Sequence, residues 1–260
     1  MDLGLKGKTA LITGASKGIG RGVAEALAAE GCHVRLVSRS LDLLETAVAE
    51  ITRDHGVKAT AHAADLSDSG AIDGLLAGDL PDILVNNAGA IPGGDIETIT
   101  EEIWRKAWEL KVFGYINMSR AFYAAMRKRG HGVICNVTGL AADKPDFGYV
   151  AGTTGNAGLN AMTRALGGHG LEDGVRVFGV SPGPTQTERL IGLLKTRAKA
   201  EGNEDNWQSL MGGMPMGRAA TVPEVADVIA FLCSPKASYV SGTILTVDGG
   251  MGSRGGSFSR

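Results

Sequence analysis

The sequence predicts a doubly wound α/β fold on a seven-stranded parallel sheet. Short runs rich in Val, Ile and Leu alternate with longer amphipathic stretches, the signature of strand–helix repetition. Several short runs are apolar throughout, as strands buried on both faces are. Glycine, at 39 of 260 residues, is about twice its usual frequency, which fits many tight turns and close backbone contacts.

The strand candidates are residues 8–13, 33–38, 57–63, 83–86, 133–137, 175–180 and 244–247. Helical patterns fill 18–30, 41–55, 69–77, 101–129, 149–168 and 223–234. No repeat or linker interrupts them, so residues 1–260 read as one domain. Residues 186–218 form the longest irregular piece. The tail 251–260 is rich in Gly, Ser and Arg and is expected to be mobile unless a neighbouring subunit orders it.

Composition narrows the function. Lys plus Arg is 26 and Asp plus Glu is 28, a net charge of −2, which argues against nucleic acid as a main partner. With 8 prolines and no three-residue glycine period, collagen and low-complexity disorder are excluded. Cys32, Cys135 and Cys233 are far apart and each adjoins apolar sequence. They read as small buried hydrophobes in a reducing compartment. The histidines are scattered, so neither a metal cluster nor a His-based triad is expected. Residues 1–8 carry Asp2, Lys6 and Lys8 and lack a long hydrophobic run. No stretch approaches the ~18 apolar residues of a membrane span, so no membrane partner is expected and the expected location is cytoplasmic.

The first strand runs into Thr13-Gly14-Ala15-Ser16-Lys17-Gly18-Ile19-Gly20, followed at once by a helical pattern. A dinucleotide pyrophosphate needs backbone N–H groups at a helix N-terminus with no side chain in the way. Gly14 allows the tight turn, Gly18 the close approach of backbone to phosphate, and Gly20 the packing of helix on strand. The strand–turn–helix context lifts this G-x-x-x-G-x-G spacing above a chance match.

This loop, then Asn86-Asn87-Ala88-Gly89, Tyr149, Pro182-Gly183 and Val247-Asp248-Gly249-Gly250, occur in the order of the short-chain dehydrogenase/reductase family. The chain resembles that family over nearly its whole length. The resemblance implies a single Rossmann-type domain, a nicotinamide cofactor and a dimer or tetramer. It implies that Ser16, Lys17 and Ile19 join the glycines at the phosphates. Asp65, with Leu66 beside it, would face adenine. Asn87, Ala88 and Gly89 would line the ribose side, and Pro182, Gly183, Thr185 and Thr187 would hold the nicotinamide end.

An NAD site places an acid after the second strand for the ribose 2′-OH. Here Ser38-Arg39-Ser40 occupies that place, with no acid before Asp42. A guanidinium can bind a 2′-phosphate through parallel hydrogen bonds. Arg39 and Lys17 therefore favour NADP over NAD.

The family's catalytic set is Asn, Ser, Tyr and Lys. Tyr149 is kept, but Thr153 stands at the lysine position, Gly139 at the serine position with Thr138 just before it, and Lys111 at the asparagine position. Tyrosine has a free pKa of about 10, so ionising near neutrality requires a drop of roughly 3 units, about 4 kcal/mol. A cation about 4 Å away at an effective dielectric near 20 supplies that, whereas a neutral hydrogen bond supplies about 1 kcal/mol. Thr153 cannot replace an ammonium. Lys111, in an otherwise apolar helical stretch, is the candidate to restore the charge from a neighbouring helix. Thr138 is the candidate donor to the substrate oxygen. Lys144 reads as solvated, and Asn156 and Asn160 as facing a helix neighbour.

Residues 186–218 fall where the family's substrate-covering segment lies. Leu190, Ile191, Leu193 and Leu194 form an apolar face, and Trp207, Leu210, Met211, Met214 and Met216 follow among glycines. This fits a mobile apolar lid or a contact with a partner subunit. The expected substrate is an apolar or cyclic alcohol or ketone. The expected activity is NADP(H)-dependent interconversion of alcohol and carbonyl. The alternatives are an NADP-binding sensor or scaffold without turnover, and a non-redox proton-transfer enzyme on the same fold.

Overall fold

The computed structural model describes residues 1–254. Its strands are β1 (Thr9–Thr13), β2 (His33–Ser38), β3 (Ala59–Ala63), β4 (Ile83–Asn86), β5 (Gly132–Val137), β6 (Val175–Pro182) and β7 (Ile244–Val247). They form one sheet in the order β3-β2-β1-β4-β5-β6-β7, with every neighbouring pair parallel. The winding reverses between β1 and β4, and the carboxyl ends at such a reversal leave a crevice. β4 (Ile-Leu-Val-Asn) and the valine-rich β6 are buried at every position, as central strands covered on both faces are.

The helices are α1 (Gly18–Ala29), α2 (Leu41–His55), α3 (Ala71–Leu76), α4 (Glu101–Trp108), α5 (Gly114–Arg129), α6 (Val150–Gly170), α7 (Glu188–Ala200) and α8 (Val222–Cys233). One core packs sheet residues such as Ile12, Leu36 and Val85 against Val23 and Leu27 of α1, Leu44 and Ile51 of α2, and Val225 and Ile229 of α8. The other packs Leu11, Leu84 and Ile134 against Ile72 of α3 and Met118 and Phe122 of α5. Helices therefore cover both faces. The three cysteines are free and buried. Among the described residues no His/Cys/Asp/Glu group could hold a metal, and no helix is long and apolar enough to cross a membrane.

Three regions depart from the sequence pattern. The single helix expected over 101–129 is broken by a π-helical turn at Glu109–Phe113, between α4 and α5. A π turn inserts one residue and shifts the later apolar positions by one, but with Ala107, Trp108, Leu110, Val112 and Phe113 crowded around it that shift does not stand out in the sequence. Residues 186–218, expected to be irregular, hold α7 and two 3-10 turns, Glu204–Met211 and Pro215–Gly217. Thr187 caps α7 by accepting from Leu190 N at 3.3 Å, Glu188 sits in its first turn, and Arg197 and Lys199 in its last, which is charge placement that suits a helix dipole. Of the tail, 251–254 turn back on the chain, with Met251 N donating to Asp248 O at 3.2 Å and Arg254 Nη1 to Gly213 O at 3.2 Å. The expected mobility of residues 255–260 lies outside the described residues.

Candidate active site

A cavity of about 980 Å³ opens over the carboxyl edge of the sheet. Its two ends are built differently.

The first end is built of backbone. Gly14 and Gly18 have φ of +66° and +59°, the left-handed region in which glycine alone is unstrained. A Cβ on Gly14 would lie 2.9 Å from Ala88 Cα, so the glycine loop and the 87–89 turn touch. Thr13 Oγ1 fastens them by accepting from Asn87 N at 2.8 Å and Ala88 N at 3.0 Å. A Cβ on Gly20 would collide with Gly14 O and Asn87 Nδ2; Gly20 serves packing, as expected, and does not itself face the cavity. The first turn of α1 has no side-chain cap at Lys17 and no acid. Its positive end therefore faces the cavity, where Ser16, Lys17, Gly18 and Ile19 form the wall. These features fit a dinucleotide pyrophosphate.

Farther out the wall is Val37, Ser38, Arg39, Ser40, Leu43, Ala64 and Leu66. The Asp65 carboxylate accepts from Ser67 N at 3.0 Å and Ser67 Oγ at 2.7 Å. Those bonds, with a smaller contribution from Arg39, hold it below the usual carboxylate range. Lys17 Nζ lies 3.2 Å from Glu188 Oε2 in an exposed pair across the mouth. Pro182, Gly183, Thr185 and Thr187 line the path toward the second end, beside Asn87, Ala88 and Gly89.

The second end is built of side chains. Tyr149 precedes α6, and its ring lies on the helix where a Cβ of Gly152 would be. Burial raises its phenol, while the charge and hydrogen bond of Arg189 pull in the opposite direction; the net shift is upward. Thr153, at the family's lysine position, is occupied locally and accepts from Asp146 N at 3.4 Å.

Lys111 sits on the π turn and is buried in the cavity wall. It does not make the expected contact with Tyr149. Its stem crosses Gly89, where a Cβ would collide with Lys111 Cδ. Its Nζ donates to Val137 O at 2.7 Å and Tyr115 Oη at 2.8 Å, and the Tyr115 hydroxyl donates to the same carbonyl at 2.8 Å. Burial, with a lesser push from Arg189, lowers the Lys111 amine to about 7. The cation whose charge is felt at Tyr149 is thus Arg189 of α7, which lines the same cavity and whose Nη2 donates to Ile91 O at 2.6 Å.

Thr138 is buried at the end of β5 and faces the cavity. Its Oγ1 gives only a long 3.4 Å bond to Val180 O, leaving the hydroxyl available. Gly139 is extended, with φ 171°, and a Cβ there would lie 3.3 Å from Asn156 Nδ2. Asn156, expected to face a helix neighbour, lines the cavity, and its buried Oδ1 has no partner among the described residues. Of the apolar covering face, Leu190 and Leu193 reach the cavity; Met214 and Met216 line a separate hollow of about 180 Å³.

Sequence reasoning missed Arg189 and Asn156. A Thr187-Glu188 start followed by apolar spacing signalled α7, but no local pattern tells which of its residues turns inward.

A glycine loop at the reversal of a parallel sheet, with a half-buried tyrosine at the inner end of the same cavity, has the form of a dinucleotide-binding α/β oxidoreductase. A family model described as enoyl-(acyl carrier protein) reductase matches residues 14–252. The chain is 34% identical over 254 residues to 2,3-dihydro-2,3-dihydroxybenzoate dehydrogenase of Bacillus subtilis, covering 95% of this chain and 97% of that one. It superposes with a TM-score of 0.91 on L-sorbose reductase from Gluconobacter frateurii complexed with NADPH and L-sorbose, at 33% identity, covering 98% and 100% of the two chains. A 7α-hydroxysteroid dehydrogenase complexed with NADH and 7-oxo glycochenodeoxycholic acid superposes at 0.85, with 30% identity and 96% of each chain covered. The chain belongs to the short-chain dehydrogenase/reductase family.

Proposed function

We propose that this protein is an NADP(H)-dependent oxidoreductase that interconverts an alcohol and a carbonyl, with Tyr149 as general acid and base. The observation that carries the reading is one continuous cavity with the glycine cradle at one end and Tyr149, Thr138 and Lys111 at the other. NADP, when bound, exchanges a hydride with the substrate carbon. The chain's own residues bind, orient and move the proton. Gly14, Ser16, Gly18 and Ile19 present backbone to the phosphates. Arg39, with no carboxylate at the end of β2, supports the preference for a 2′-phosphate. Lys111, lying across Gly89, donates to hydroxyls on the ribose side. Thr138 donates to the substrate oxygen.

Tyr149 sits above its ordinary pKa, so at neutral pH it holds its proton. That suits donation to a nascent alkoxide, and reduction of the carbonyl is the favoured direction there. Oxidation of the alcohol needs the phenolate and gains as pH rises. The inner wall of Ile91, Leu140, Leu190 and Leu193 suits an apolar or cyclic substrate. Relatives acting on a cyclic dihydrodiol and a steroid support that class. The reading keeps the protein cytoplasmic and oligomeric, with 186–218 as its covering segment.

The test is NADPH oxidation against a panel of cyclic and aliphatic ketones. Wild type turns over, NADPH exceeds NADH in kcat/KM, and Tyr149→Phe loses about 10²–10⁴-fold in kcat while still binding NADP. NADP binding without turnover on any ketone or alcohol would favour the scaffold reading. Product formed with no change in nicotinamide absorbance would favour non-redox proton transfer.

A further inference from the structure

Ionising Tyr149 requires a dependable positive charge, and the residues around its hydroxyl differ in their fitness to supply one. Thr153 is neutral and bonded to Asp146 N. Lys111, from the π turn, spends its Nζ on Val137 O and Tyr115. Lys144, in the loop before α6, reaches Met251 O at 3.3 Å, and its neighbour Asp146 accepts from Gly148 N at 2.8 Å. Lys17 and Glu188 neutralise one another at the mouth. Arg189 differs from all of these. It lines the same cavity as Tyr149, acts on the phenol in the lowering direction, donates from Nη2 to Ile91 O at 2.6 Å, and has no ion pair among the described residues. A guanidinium stays protonated at any physiological pH.

We infer that Arg189, carried on the covering helix α7, takes the place of the missing helix-α6 lysine as the charge that stabilises the Tyr149 phenolate. The inference rests on Tyr149 being the acid/base group. Its consequence is coupling between cover and chemistry. Arg189 sits on the same helix as Leu190 and Leu193, which also face the cavity, and is anchored through Ile91 O, so a displacement of α7 would carry the charge away from Tyr149. The proton affinity of Tyr149 therefore follows the position of the segment that admits substrate. In the rest of the family's pattern that charge is fixed on the same helix as the tyrosine; here it is delivered from across the cavity.

The experiment is a pH titration of phenolate absorbance, with Tyr149→Phe used to identify the Tyr149 transition, repeated with NADP present. Arg189→Met moves that transition up by about one unit, less than a fully buried cation would give because the guanidinium is partly solvated. Arg189→Lys recovers most of the shift. The alkaline limb of kcat for alcohol oxidation moves with it, and KM changes less than kcat at fixed pH. A Tyr149 transition that stays in place in Arg189→Met, or that moves in Lys111→Met and not in Arg189→Met, overturns the inference. Arg189→Gln provides a second neutral variant should the methionine disturb folding. If wild type proves inactive on every alcohol and ketone, the proposed activity fails, yet the absorbance titration still decides the role of Arg189.

Discussion

The two ends of the cavity solve their problems with different materials. At the cradle the wall is backbone and a helix terminus, and its shape is set by glycines held by turn geometry and contact. At the inner end, Tyr149, Thr138, Lys111 and Arg189 come from four separate segments, with α7 supplying the charge that the family places on α6. A backbone site tolerates little change, because a Cβ has nowhere to go. A side-chain site can conserve its charge while changing where the side chain originates, since long side chains reach the same point from several helices.

The largest expected departure is at Lys111. Burial takes its amine from 10.5 to about 7. Between those values the unfolded chain binds more protons than the folded one, so wild-type stability rises with pH across that window. Lys111→Met flattens the rise, so its stability relative to wild type is greatest toward pH 7 and shrinks as pH climbs to 10.5, while turnover and NADP affinity are lost. Equal pH slopes for the two proteins in denaturant titrations, or near-normal turnover, would break the contrast between the ends. At the cradle, Gly20→Ala forces a Cβ against Gly14 O and Asn87 Nδ2. Overpacking of this kind costs about 1–3 kcal/mol of stability, and calorimetry should show NADP binding lost with it. Retained binding would mean that the loop relaxes. The smallest effect is expected at the exposed Arg39. Arg39→Ala lowers kcat/KM for NADPH about tenfold and leaves NADH nearly unchanged, as loss of one charged phosphate contact does. An unchanged NADPH/NADH ratio would remove Arg39 from cofactor choice.

The sheet was legible because its strands are continuous apolar runs between turn residues. The cradle was legible because Gly14, Gly18 and Gly20 leave a spacing that only close backbone approach explains. The π turn at Glu109–Phe113 was not, since the apolar residues crowded on both sides of it hide the one-residue shift in spacing. α7 was passed over as irregular although Thr187 and Glu188 marked its start. The identity of the cation at Tyr149 depends on a contact between residues forty apart in sequence, and Lys111 was the more conspicuous candidate because an amine among apolar residues stands out locally. Asn156 was hidden for the same reason: its exposure to the cavity follows from Gly139 opposite, which contributes no side chain.

The ring of Tyr149 rests in a dent one methyl deep, made by Gly152 on the next turn of its own helix. An alanine at 152 would therefore push against that ring and displace the hydroxyl from its place in the cavity. A lysine placed at 153 would bring a second cation onto α6 beside a phenol whose charge partner is carried on α7, so its effect and that of Arg189 would not simply add.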